Sequence, residues 1–219
     1  MDDLPWTKHS SDSFTASDEC YVAVGAGASC YSLNGNASSS ASITTNGTTI
    51  YYDGDKTGNV SSGGGNGCGT SGLFKLSAGQ TLSISSVGGG GGNGGFIYYA
   101  NTKDVPLVIN KLEELTWLRY NDELANVITF TATNRCYVIV FTGRGNYSVN
   151  GGTSSSSIST TGTKTTVYSG GETLSHTSYG NTYSKSFGIY ELKAGQSIIC
   201  SLSGGNFCDG TSIYYASLD

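Results

Sequence analysis

Proline is nearly missing from this chain, at 2 of 219 residues, and charge is scarce. Asp, Glu, Lys and Arg together make up 12%, about half of the roughly 25% usual in globular domains. The 11 basic residues are scattered without a run, against 16 acidic ones, for a net charge of -5. A phosphate-binding surface needs clustered Lys and Arg, so nucleic acid is excluded as an expected partner. No run of about 18 apolar residues occurs, which excludes a membrane-spanning helix. The opening MDDLPWTKHSSDSF is acidic and has no apolar core, so no secretory signal is expected. The six cysteines (Cys20, Cys30, Cys68, Cys136, Cys200 and Cys208) form no CxxC pair. Close pairs are what a structural zinc usually needs, and the expectation is free thiols in a reducing compartment. The chain has two histidines, His9 and His176, and no GxSxG elbow. Cys208 and His176 have no spacing that supports a nucleophile pair.

What the chain does have is glycine (33 residues) and tyrosine (15), within a background of Ser, Thr and Asn. Such a composition fits either disordered low complexity or a turn-rich β protein. Recurring Val, Ile and Tyr clusters favour the β protein, because disordered segments are poor in aromatic and β-branched residues.

The chain repeats itself at an offset of 116 residues, as from Cys20 to Cys136. Phe14-Thr15-Ala16 falls on Phe130-Thr131-Ala132, and Cys20-Tyr21-Val22 on Cys136-Tyr137-Val138. Ala78-Gly79-Gln80 falls on Ala194-Gly195-Gln196, and Ile97-Tyr98-Tyr99-Ala100 on Ile213-Tyr214-Tyr215-Ala216. One offset from end to end predicts two homologous domains with nearly equal loops. Residues 1–101 form the first, 102–113 a connector and 114–219 the second. Each begins with a leader carrying one tryptophan, Trp6 or Trp117, expected to plug one end of its domain. Val108, Ile109, Leu112 and Leu115 have helical spacing, so the connector reads as a short helix or an extended segment.

Within the first copy, strands are predicted near Cys20–Gly25, Cys30–Leu33, Thr48–Tyr52, Leu73–Leu76, Thr81–Val87 and Phe96–Ala100. A weaker one lies near Ala41–Thr45, and the Phe14 segment adds another. Asn34-Gly35, Asn46-Gly47 and the two Ala-Gly-Gln sequences read as tight turns. The fold expected is all-β: two tandem antiparallel β-sandwiches, jelly-roll-like, with little or no helix.

The run VGGGGGNGGFIYYA (Val87–Ala100) is the most conspicuous local feature. Its counterpart keeps the flanks and length but reads GGNFCDGT over Gly204–Thr211. The glycines therefore belong to no motif shared by both copies, and they read as a variable hairpin loop. A phosphate loop would be followed by a helix and a Lys-Ser/Thr pair; here a strand follows. The stretch Ser61–Gly69 likewise falls on Thr177–Lys185. Two sets of candidates follow. Gly63, Gly64, Gly65, Gly89, Gly90 and Gly91 are docking positions where glycine admits a close neighbour. Tyr179, Tyr183, Asn206, Phe207 and Asp209 are ligand-contact positions on the loops of the second copy.

Asp53-Gly54-Asp55-Lys56-Thr57-Gly58 opens like a calcium loop, but Gly64 stands where the bidentate Glu belongs. Asp53 and Asp55 are the metal candidates, and a polar turn is the competing reading. No cofactor and no catalytic residue is expected. Carbohydrate binding stays open, since Tyr, Asn, Ser, Thr and Asp suit sugar rings and hydroxyls.

Phe14-Thr15-Ala16 and Phe130-Thr131-Ala132, followed by Cys-Tyr-Val, then Tyr147-Ser148-Val149-Asn150-Gly151-Gly152, the Leu-x-Ala-Gly-Gln turns at Leu76–Leu82 and Leu192–Ile198, and a closing aromatic strand make up a recognisable series. It resembles the small β-sandwich modules of bacteriophage virion proteins: tail-fibre tips, head fibres and capsid decorations. The Ala-Gly-Gln turn before the penultimate strand also resembles tumour-necrosis-factor-like jelly rolls. The resemblance implies a non-enzymatic virion protein, often trimeric, made in the host cytoplasm. Its partners would be itself, other virion proteins and a host surface glycan. A carbohydrate-binding module or bacterial adhesin fragment is the alternative.

Overall fold

The structure is a computed structural model. It describes residues 6–61, 64–88, 90–104, 112–121, 126–148, 152–161, 165–171, 173–176, 180–203 and 207–218. The chain divides into two compact units, one holding residues 6–114 and the other residues 115–218.

The first unit contains β1 (Thr7–His9), β2 (Ser13–Thr15), β3 (Cys20–Ser32), β4 (Ala37–Thr45), β5 (Thr48–Tyr52), β6 (Lys56–Val60), β7 (Gly64–Leu76), β8 (Thr81–Gly88) and β9 (Gly90–Asn101). The second contains β10 (Leu118–Asn121), β11 (Val127–Thr131), β12 (Cys136–Ser148), β13 (Gly152–Thr160), β14 (Thr165–Gly171), β15 (Thr173–His176), β16 (Gly180–Leu192), β17 (Ser197–Ser203) and β18 (Phe207–Ser217). Between them, the described part of the connector forms two 3-10 turns, Thr102–Asp104 and Leu112–Glu114. Residues 105–111 lie outside the described residues, so the helical spacing of Val108 and Ile109 is not addressed.

In the first unit the sheet orders are β1-β9-β3-β7-β5 and β2-β8-β4-β6; in the second they are β10-β18-β12-β16-β14 and β11-β17-β13-β15. Read strand for strand, the two units have one topology. The pairs β1·β9, β2·β8, β3·β7 and β4·β6 are rungs of a single long antiparallel hairpin with β5 near its tip. Rolling that hairpin sets β9 beside β3, β8 beside β4 and β7 beside β5. This is the jelly roll.

Alternation sorts the side chains. Cys20, Val22, Val24, Ala26 and Ala28 of β3 join Phe14, Ile43, Phe74, Leu76, Leu82, Ile84 and Ile97 in the first core, so both sheets contribute. The second core uses Phe130, Cys136, Val138, Val140, Tyr190, Leu192, Ile198, Cys200 and Ile213. The intervening residues of the five-stranded sheets are apolar and buried too: Tyr21, Ala23, Leu73 and Phe96 in one unit, Tyr137, Ile139, Phe141, Phe187, Ile189 and Tyr214 in the other. Each major sheet is therefore apolar on both faces.

The Ala-Gly-Gln sequences form one joint, built twice. Gly79 and Gly195 hold φ of +83° and +81°, the left-handed region that glycine enters without strain. Gln80 N–H donates to the Ser77 carbonyl at 3.0 Å, and the Gln80 side chain accepts from Ser77 N–H at 2.7 Å. Ala16 N–H donates to the Gln80 carbonyl at 2.9 Å, and Gly79 N–H to the Ala16 carbonyl at 2.8 Å. Ala132, Lys193, Gly195 and Gln196 repeat the arrangement with matching distances. The Phe-Thr-Ala and Ala-Gly-Gln motifs, far apart in sequence, are the two halves of this joint.

Three sequence expectations need correction. The strands expected at Cys20–Gly25 and Cys30–Leu33 are one thirteen-residue strand, β3. The strands expected at Leu73–Leu76 and Phe96–Ala100 begin much earlier, at Gly64 and Gly90. The glycine segments are thus largely strand and not loop. Trp6 and Trp117 are half-buried just ahead of β1 and β10.

Candidate functional site

The glycine segments meet at the end of the first sandwich opposite the Ala-Gly-Gln joint. Gly64, Gly65, Gly67 and Gly69 of β7 lie in register with Ser32, Tyr31, Ser29 and Gly27 of β3. On the other side of β3, Gly90 pairs with Cys30, Gly94 with Gly27 and Gly95 with Ala26, with a register shift between Ala28 and Cys30. Gly91 lies within β9, while Gly63 and Gly89 fall outside the described residues. Glycine in a strand marks close approach of another chain segment, and the interior shows where. A Cβ on Gly58 of β6 would lie 3.0 Å from the Gly67 carbonyl oxygen of the opposing sheet and 2.8 Å from Ser39 Oγ. A Cβ on Gly95 would collide with Ile84 of β8. Gly58 and Gly95 thus face the opposing sheet of their own sandwich; of the docking positions, Gly64, Gly65, Gly90 and Gly91 lie in strands and not in loops.

The second unit treats the equivalent interior differently. Where the first has Ala26 and Gly95, it has Thr142 and Thr211, whose buried hydroxyls share a hydrogen bond at 2.8 Å. Ser186 donates to the Ser156 carbonyl at 2.7 Å, bridging β16 of one sheet to β13 of the other. One sandwich closes by omitting side chains, and the other fills the space with paired hydroxyls.

The ligand-contact candidates of the second unit lie at the matching end. Tyr183 of β16 and Phe207 of β18 both stand in register with Gly145 of β12, one on each side. The topology thus sets two aromatic residues at one level across a glycine. Asp209 follows on β18. Tyr183, Phe207 and Asp209 are strand residues, which corrects their placement on loops; Tyr179 and Asn206 lie outside the described residues. Sequence comparison of the copies picks out both aromatics, but their shared level depends on long-range pairing that no local pattern encodes.

At this same end of the first unit, Asn36, Ala37 and Ser38 at the start of β4 and Asn59, Val60 and Ser61 at the end of β6 line an open cleft of about 450 Å³. Its polar groups are short amides and hydroxyls. Asn66 Nδ2 donates to the Asn59 carbonyl at 3.0 Å, steadying one wall.

The calcium candidates sit in the turn between β5 and β6. The Tyr52 hydroxyl donates to Asp55. Lys56 Nζ lies 3.9 Å from the Asp53 carboxylate, whose side chain is almost fully buried. Thr70 takes the Gly54 carbonyl in a 2.6 Å bond. These groups serve the turn, and among the described residues no three His, Cys, Asp or Glu side chains are placed to hold a metal ion.

Cys20, Cys30, Cys68, Cys136 and Cys200 are free and buried. Burial, with the charges of Asp18 and Glu19, pushes the Cys20 thiol up to about 11. Burial alone raises Cys136 to about 11 and Cys200 to about 12. Nucleophilic thiols have the opposite character.

One titratable cluster is well built. The Tyr21 hydroxyl donates to Glu113 at 2.6 Å and Lys75 Nζ to the same carboxylate at 2.8 Å, with Glu19 3.5 Å from Lys75. Burial alone would raise the Glu113 carboxyl. The hydrogen bonds from Lys75 and Tyr21, with the Lys75 charge, outweigh burial and hold it below its ordinary value. The cluster pins the end of the connector, where Leu112 is fully buried, onto the outward face of β3 and β7. No protein-family model and no curated protein matches this sequence.

Proposed function

We propose that the chain is a non-enzymatic structural protein of a bacteriophage virion, a fibre, spike-tip or capsid decoration subunit that builds particle surface and contributes to host attachment. The observation that carries this reading is the pair of major sheets, each apolar on both faces. A sheet with polar residues on one face is finished as a surface, whereas here the outward residues Tyr21, Ala23, Leu73, Ile139 and Ile189 are themselves covered within the chain, so each sandwich carries a second apolar layer besides its own core. Such investment suits a packing unit better than a catalytic scaffold. The sequence resemblance supplies the virion setting. Tyr183 and Phe207, level with each other across Gly145, are the positions proposed for receptor contact, with a surface glycan as the ligand class.

The cleft lined by Asn36, Ser38, Asn59 and Ser61 favours a second reading, a free carbohydrate-binding module. Light scattering coupled to size exclusion separates the two. The virion reading expects an oligomer, a trimer being three times 22.6 kDa. Host adsorption by that oligomer should fall with Y183A/F207A while its mass stays unchanged. A monomer that binds glycans and does not compete with phage adsorption would overturn it in favour of the second.

A further inference from the structure

The central ladders of the two units are interchangeable in length and register. β3 pairs with β7 over thirteen residues from Cys20↔Leu76 to Ser32↔Gly64. β12 pairs with β16 over thirteen from Cys136↔Leu192 to Ser148↔Gly180. Both open on a cysteine opposite a leucine, and a joint of the same geometry follows each. A chain holding two such ladders has a ready wrong fold, in which β3 pairs with β16 or β12 with β7. Exchange between like repeats is a characteristic failure of tandem-repeat proteins.

The ladders differ at one feature of their mouths. In the first, an acid on the β3 side, Glu19, meets a base on β7, Lys75, at 3.5 Å. In the second, at the equivalent positions, a base before β12, Arg135, meets an acid on β16, Glu191, with Arg135 Nε donating at 2.7 Å. The ion pair is kept and its polarity is reversed. Each correct pairing joins opposite charges. Each exchanged pairing joins like ones, Glu19 with Glu191 and Arg135 with Lys75.

We propose that this inverted ion pair is a partner-specifying device that keeps the strands of one repeat from pairing with those of the other during folding. The contribution of either pair to native stability is small, because both are partly exposed: side-chain exposure is 24% for Lys75 and 50% for Glu19, 51% for Arg135 and 14% for Glu191. Discrimination is a difference between right and wrong states, and repulsion in the wrong state counts in full toward it. Glu113 adds to the effect in one of the two exchanges, since it lies 2.8 Å from Lys75 and would repel Glu191 in the place of that base.

The test is refolding of the full chain from urea, with the trapped fraction read by interrupted refolding. Trp6 and Trp117, one in each unit, report equilibrium unfolding. R135E/E191K keeps an ion pair in the second unit but gives it the polarity of the first, so exchanged pairings become complementary. The expected result is a trapped fraction about tenfold above the parent, as ~1.4 kcal/mol of lost discrimination gives, with native stability unchanged. R135A/E191A should fall between the two. If the pair only steadies its own ladder, the alanine variant is the worst and R135E/E191K refolds like the parent; that order overturns the proposal. Should R135E/E191K prove unstable, salt decides. At about 1 M, where screening acts over roughly 3 Å, the parent should trap as much as R135A/E191A. A parent insensitive to salt would equally overturn it.

Discussion

Replacing Gly72 with alanine puts a methyl group where the Phe74 ring lies. Gly72 and Phe74 point to the same inner face of β7, and a Cβ on Gly72 would stand 2.5 Å from Phe74 Cε2 and 2.9 Å from the Tyr51 carbonyl oxygen on β5. Neither neighbour can yield cheaply. Phe74 is 1% exposed and packed on Tyr52 at 5.9 Å between centroids, and the carbonyl belongs to a paired strand. Overpacking a core costs about 1–3 kcal/mol, while losing a glycine from the unfolded chain returns ~0.4–1 kcal/mol. The net expectation for G72A is a loss of about 1–2 kcal/mol confined to the first unit, a fall of roughly 5–10 °C in its transition. Urea unfolding followed by fluorescence measures it, because Trp6 lies in the first unit and Trp117 in the second. The Trp6 transition should move and the Trp117 transition should not. F74L removes the ring that clashes but leaves the Tyr51 carbonyl at 2.9 Å, so G72A added to F74L should cost about 0.5–1 kcal/mol less than G72A alone. A neutral or stabilising G72A, or strict additivity with F74L, would refute the reasoning. Gly188 stands under the Tyr190 ring in the same way, so G188A should move the Trp117 transition instead.

Alanine at Gly79 or Gly195 meets no atom within 4 Å but must adopt φ near +80°, so each should lose about 1 kcal/mol, with asparagine milder; thermal unfolding checks it. The native chain should resist aromatic disulfide reagents at pH 8 at Cys20, Cys136 and Cys200 and react on unfolding, since burial disfavours their thiolates. The same shift has a pH sign: an acid raised from 9.0 to about 11 on folding keeps its stabilisation below pH 9 and loses it as pH climbs from 9 toward 11. Unfolding midpoints should therefore fall across that window, and C136A should flatten the fall. Glu113 has the reverse sign, because its folded carboxyl is lowered from 4.5. Its contribution is present above pH 4.5 and fades below, and E113Q should remove about 1 kcal/mol from the first unit at neutral pH, moving the Trp6 transition alone.

The β class, the repeat and the turns could be read from residues because each is a local signal. Asn46-Gly47 and Ala78-Gly79-Gln80 are turn chemistry, and the offset from Cys20 to Cys136 needs only counting. Alternation served less well. Cys20 through Ala28 are buried on both sides of the strand, so the polar half of the pattern is missing and the strand's end at Ser32 was hidden. Glycine misled most. Its preference for turns points to loops at Gly64–Gly69 and Gly90–Gly95, whereas these segments are strand, and contacts across the sandwich between consecutive strands require glycine at Gly58, against the Gly67 carbonyl, and at Gly95, against Ile84. Short β6 (Lys56–Val60), with one buried position, Gly58, carried no strand signal of its own. The level placement of Tyr183 and Phe207 across Gly145 has the same origin in pairing between distant strands.

The two ends of each sandwich answer to different constraints, and this explains which residues the copies share. At the joint, backbone geometry decides: φ near +80° wants glycine, and the glutamine that closes the turn must reach the residue three before it. Few substitutions satisfy both, and the two copies carry the same residues there. At the far end only thickness must be satisfied. Ala26 beside Gly95 and Thr142 beside Thr211 both satisfy it, one by removing side chains and the other by pairing hydroxyls at 2.8 Å. That end is therefore free to differ in its side chains between the two copies. If so, exchanging Ala26 and Gly95 together for threonines should cost less than the sum of the two single changes, because only the pair recreates a satisfied hydroxyl bridge. Unfolding of the two single variants and the double one tests this. A double variant as unstable as the sum of the singles would show that Ile84, which a Cβ on Gly95 would strike, decides the thickness and not the pairing.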